Sequence, residues 1–182
     1  MDLVDLIEEK HFLGQEFLTW LWYKSEERGG AVLVPEIGQD ILVVFEKHML
    51  LEFGEGETRE NVVCRGLMTE LREARAGLAL GKKPEQARIR IQRDDHEWSL
   101  TLKARIFEFQ NVRLPKTEIG AEGAANDGDP LAAEGLLLDQ IGLFETAVRT
   151  VDQLFRMFLE LRCGTGWPEE LGRIQAWVRK FK

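Results

Sequence analysis

Ala87-Arg88-Ile89-Arg90-Ile91-Gln92, then Arg93-Asp94-Asp95-His96-Glu97, then Trp98-Ser99-Leu100-Thr101-Leu102-Lys103-Ala104-Arg105-Ile106 is the stretch of this 182-residue chain that decides its fold. Side chains on a strand alternate with period two. Ala87, Ile89 and Ile91 therefore share one face of the first run, and Arg88, Arg90 and Gln92 the other. In the return run Trp98, Leu100, Leu102, Ala104 and Ile106 are predicted on the apolar face, and Ser99, Thr101, Lys103 and Arg105 on the polar one. The polar residues 93–97 between them read as a turn. The pattern predicts an antiparallel hairpin with a buried apolar face and an outer face carrying Arg88, Arg90, Lys103 and Arg105 together.

Upstream of the hairpin the texture is β as well. Residues 31–34, 40–45, 48–53 and 59–66 are rich in Val, Ile, Leu and Phe. Pro35, Gly38, Glu46-Lys47 and Gly54-Glu55-Gly56-Glu57 punctuate them, which predicts an antiparallel meander. A helix over 69–80 follows, with Thr69 as cap, Leu71, Ala74 and Leu78 on one side and Gly81 just past its end. Two helices come first: 2–9 with Leu3, Leu6 and Ile7 in a stripe, and 13–26 with Phe17, Trp20, Leu21 and Lys24 at helical spacing, closed by Gly29-Gly30. Consecutive helix residues point in different directions, so Trp20, Trp22 and Tyr23 read as core on several sides rather than as a base-stacking platform.

Residues 117–130 lack periodicity and read as a linker before the longest element. There Leu137, Ile141, Phe144, Val148, Val151, Phe155 and Phe158 recur at alternating spacings of four and three, a stripe predicting a helix of roughly 45 Å to about Leu161. Leu138, Leu154 and Leu159 widen it to a face suited to packing across a sheet. A closing helix starts near Pro168 and carries Leu171, Ile174, Trp177, Val178 and Phe181. The expected architecture is one α+β domain over 1–182: an antiparallel sheet of about six strands, packed with the long C-terminal helix and shorter helices on one or both faces.

Composition bounds the function. The chain carries 24 Lys and Arg against 32 Asp and Glu, a net charge of -8. That balance argues against a surface wholly devoted to nucleic acid. Between Lys82 and Lys116, however, nine basic residues face five acidic ones, so this stretch is +4 and the rest -12. Such a local reversal marks either a binding face or a solvated strand. The apolar run 41–45 is far too short to span a bilayer, and the opening residues lack the charge and apolar pattern of a secretory signal, so a cytoplasmic protein is expected. Cys64 and Cys163 have no paired spacing and read as unbridged thiols, Cys64 inert in an apolar strand.

No constellation for catalysis is visible. His11, His48 and His96 fall in unrelated elements, and only His96 has carboxylate neighbours, Asp94, Asp95 and Glu97, whose composition a polar turn explains without a metal. No P-loop, H-E-x-x-H, nucleophile elbow or G-x-G-x-x-G following a strand occurs. Neither enzyme activity, nor a cofactor, nor a metal is expected.

Several segments resemble the recombination-associated RdgC family. Glu73-Ala74-Arg75 through Gly81-Lys82-Lys83, then Ala87 to Ile91, the Asp94-Asp95 turn and Leu100 to Lys103 are similar to the helix, "GK" corner and hairpin of that family's C-terminal half. Residues 139–161 resemble its closing helix, and Glu16-Phe17-Leu18-Thr19-Trp20-Leu21-Trp22 a segment near its middle. The resemblance covers the middle and C-terminal part of the family's longer chain. It implies non-enzymatic DNA binding without sequence preference, linked to recombination, through Arg88, Arg90, Lys103, Arg105, Lys82 and Lys83. It also implies a homodimer, in the family a ring with a basic inner surface. The alternative reading of the same residues is a protein-interaction scaffold that uses the heptad helix, its basic hairpin face merely solvated.

Overall fold

A computed structural model describes residues 13–35, 38–53, 60–65, 71–116 and 130–181. The expected helix 2–9, the cap Thr69, the separator 54–57 and nearly all of the linker 117–130 lie outside these residues. The elements are α1 (Leu13–Glu27), β1 (Ala31–Val34), β2 (Gln39–Phe53), β3 (Glu60–Arg65), α2 (Arg72–Ala79), β4 (Lys83–Arg93), β5 (His96–Lys103), β6 (Glu108–Arg113), α3 (Pro130–Cys163) and α4 (Trp167–Arg179). The class is α+β, with a six-stranded antiparallel sheet and a long C-terminal helix.

The strand count agrees with expectation through two compensating differences. Glu46-Lys47 does not break the chain, and β2 runs 15 residues straight through it. The ladder to β4 jumps there from Phe45↔Ile89 to Met49↔Ala87, so the polar pair is absorbed in an irregularity that leaves Ile41, Val43, Met49 and Leu51 facing one way. In exchange, β6 is a strand that period-two reading misses, because Asn111 at φ 50 interrupts its alternation. Nor is the sheet a simple meander. β1 and β3 lie end to end along one edge of β2, pairing Leu42 with Ala31 and Leu51 with Val62, while β4 takes the other edge.

The hairpin turn is two residues, Asp94-Asp95, rather than five, since Arg93 already pairs with His96. Asp94 takes the left-handed conformation at φ 53 that such a tight connection demands. Strand β5 ends at Lys103, so Ile106 lies in the following turn, 66% exposed, instead of on the apolar face. Phe107, at φ 51, turns inward in its place and sets its ring 4.4 Å from Phe155.

All four described helices cover one face. Val32, Val34, Ile41, Val43, Met49, Leu51, Cys64, Ala87, Ile89, Ile91, Leu100 and Leu102 form one buried cluster with side chains from α1, α2, α3 and α4. Helix α1 lies at its centre. Phe17, Leu18, Trp20, Leu21 and Trp22, which point to several sides of the helix, are all buried. Phe17 meets Phe155 edge-on at 5.2 Å and Trp22 meets Trp177 at 5.4 Å, so α3 and α4 rest on α1. A single carboxylate joins three helices: Glu26 accepts hydrogen bonds from the Trp22 indole (2.7 Å), Arg75 of α2 (2.8 Å) and the Trp177 indole of α4 (2.9 Å). Helix α2 lacks a side-chain N-cap and ends at Gly81, whose φ of +89 lets the Lys82 N–H return to the Gly77 carbonyl at 3.0 Å.

The tightest approach is backbone to backbone. A Cβ built on Gly14 would overlap the Ala104 carbonyl oxygen just past the end of β5. Replacing Gly14 with Ala must push α1 off the sheet, and a loss of roughly 1–3 kcal/mol or more is expected in urea unfolding. A Gly14→Ala variant as stable as the parent would contradict this seat for α1.

Candidate functional site: the helix-free sheet face and the projecting arm

The face of the sheet turned away from the helices carries Arg88, Arg90, Lys103 and Ser99, interleaved with exposed Leu33, Leu42 and Val63 toward the β1 and β3 edge. The hairpin alternation does place Arg88, Arg90 and Lys103 together. Their charges, however, are matched within the chain. Arg88 Nε lies 2.8 Å from Glu46, and Arg90 is 4.0 Å from Glu46 and 3.6 Å from Glu97. Lys103 Nζ is 3.1 Å from Glu108, whose carboxyl is held below the ordinary glutamate value by hydrogen bonds from Gln110 and Lys103. Glu46 sits in the β2 irregularity, a partner that strand periodicity could not locate. The face is a mixed-charge lattice of half-exposed pairs, each weak on its own.

Arg105 leaves that array, because β5 has already ended. Its guanidinium closes the end of the sheet where β2 finishes and β4 begins, 3.2 Å from Glu85 and 3.2 Å from Glu52. Gln15 of α1 donates to Glu85 at 2.7 Å. Glu52 and Glu85 are buried, so two sequestered carboxylates share one guanidinium that is itself 37% exposed. Burial pushes the Glu85 carboxyl above its ordinary value, and the nearby Glu52 charge adds to this, while Gln15 and Arg105 pull the other way. Lys82 is buried with its Nζ 2.8 Å from Glu60, whereas Lys83 is exposed and has no carboxylate partner among the described residues.

Asp94 and Asp95 form the hairpin turn and His96 opens β5, its ring 5.7 Å from that of Trp98. Among the described residues no group of three or more His, Cys, Asp or Glu is placed to hold a metal. Cys64 is buried and Cys163 exposed, both free, and burial raises the Cys64 thiol. A cleft of about 180 Å³ lies between α1, β2 and α2, lined by Trp22, Ser25, Glu26, Phe45, Leu71 and Arg75. Glu26 already accepts three hydrogen bonds there, and Ser25 Oγ donates to the Trp22 carbonyl.

The heptad stripe of α3 divides in two. Val151, Leu154 and Phe158 are buried, and Val148 and Phe155 half-buried. Leu137, Ile141 and Phe144, expected in the same packed stripe, are 57%, 53% and 44% exposed, together with Leu138 at 61%. The divide falls where the Trp98 indole of β5 donates to the Leu143 carbonyl at 3.0 Å. Residues 133–145, up to and just past that bond, include no buried side chain and form the exposed arm of α3. Spacing revealed the stripe but not where the sheet beneath it ends.

Comparison with family models, curated proteins and solved structures finds no match. The likeness to RdgC proteins thus rests on the quoted motifs alone. No described helix is long and apolar enough to cross a membrane.

The Glu52–Arg105–Glu85 cluster makes a pH prediction. The folded chain takes up a proton at Glu85 at higher pH than the unfolded chain, so the stability this group contributes falls as pH rises from the ordinary glutamate range through the raised value. Glu85→Gln removes the buried charge while Glu52 still pairs with Arg105. At neutral pH the variant is expected to melt at or above the parent, the gap closing on acidification. A variant several degrees less stable at pH 7 would show that the ion pair outweighs the burial of charge.

Proposed function

We propose that the chain is a non-enzymatic protein-interaction scaffold whose contact surface is the arm of α3. The supporting observation is that Leu137, Leu138, Ile141 and Phe144, four large apolar side chains on one short helical stretch, are each 44% or more exposed. Scattered exposed leucines are ordinary, but a contiguous patch of this kind is a contact surface. A photo-crosslinking amino acid at position 138 is expected to give discrete protein adducts in cells, whereas one at Arg156, exposed on the same helix outside the patch, gives none. Absence of adducts from position 138 would remove the scaffold reading.

A second reading, DNA binding without sequence preference as in the RdgC family, draws support from Arg88, Arg90 and Lys103 sharing the helix-free face. It requires phosphates to displace Glu46, Glu97 and Glu108. If these three cations do so, log K against log salt falls with a slope of about -3 for duplex DNA, and Arg90→Glu with Lys103→Glu flattens it by about two. No retention of DNA at low salt would dismiss this reading.

A further inference from the structure

We infer that the arm pairs with the arm of a second copy, the two α3 helices crossing antiparallel at Ile141. This rests on the scaffold reading and names its partner. Three observations carry it. The first is size. The four exposed side chains present on the order of 400 Å² of apolar surface, too much for scattered exposure. Doubling it across a two-fold axis with the helix flanks buries roughly 800–1,000 Å² in total, the range of weak, concentration-dependent association.

The second is charge. From 130 to 148 the helix carries Glu134, Asp139 and Glu145 and no Lys, Arg or His; Arg149 is its first cation. Parallel arms would set each carboxylate against its own copy. An antiparallel crossing at Ile141 places Ile141 on Ile141, Leu138 on Phe144, and Glu134 beside Arg149 of the other copy. Arg149 is 73% exposed and, among the described residues, is paired with Glu145 one turn away, a pair cheap to exchange.

The third is the pair of helical glycines, Gly135 and Gly142, one heptad apart on the side of Leu138. A Cβ on either would meet nothing within 4 Å. Each costs about 1 kcal/mol against alanine in a helix, and nothing among the described residues requires them. Across a two-fold, Gly142 lets the second helix close down on Ile141.

Sedimentation equilibrium of the full chain tests this. Wild type is expected to pass from monomer to dimer between roughly 5 and 500 μM. Ile141→Asp should weaken association at least 100-fold without changing the melting curve of the dilute protein. Glu134→Arg and Arg149→Glu should each weaken it, and the double exchange should restore it. A wild type that stays monomeric, a dimer indifferent to Ile141→Asp, or a double exchange that restores nothing overturns the inference. A monomeric wild type that still gives adducts of other mass from position 138 defeats the second copy alone, whereas a monomer without adducts defeats the scaffold reading as well.

Discussion

Burial of α1 between the sheet and the C-terminal helices is the constraint on which the rest of the structure depends. Only Glu27 of its fifteen residues is exposed. A helix so placed must bring partners for most of its polar groups, since each unpaired one would cost on the order of 1–3 kcal/mol. The Trp20 indole N–H is an exception, buried without a hydrogen-bond partner among the described residues. Gln15 has Glu85, Glu16 has Arg162 at 2.8 Å, Lys24 has Glu170 at 2.6 Å, and Glu26 has three donors. These partners come from β4, α3, α4 and α2. One helix thereby ties β4 to the other three described helices while its aromatic side chains supply the apolar burial.

The functional surfaces follow from that arrangement. With all described helices gathered around α1, no described helix covers the opposite sheet face, and its charges settle against one another. Helix α3 is held only along the part that reaches α1 and the sheet. Trp98 marks the boundary, and the remaining turns project with an apolar face that no described residue covers.

The hairpin, the helix boundaries of α1 and the full burial of Trp20 and Trp22 were legible because period and neighbour direction are local properties. The β2 irregularity, the β6 strand and the exposed half of α3 were not, for a shared reason. Each depends on what lies across from a residue, and the same apolar stripe reads identically over a sheet and beyond its edge. The cation site was half legible: alternation placed Arg88, Arg90 and Lys103 on one face, but the carboxylates opposing them come from β2, β5 and β6, and Arg105 left the array because the strand stopped two residues before it.

Native-state hydrogen exchange in dilute protein tests the central role of α1 most directly. Amides of the middle of α1 are expected to exchange only through global unfolding, at the same free energy as the β2–β4 pairs, while amides of 136–144 exchange through local opening at far lower cost. Exchange of α1 at a markedly lower free energy than β2 and β4 would contradict the account, since the sheet would then stand without the helix said to organise it.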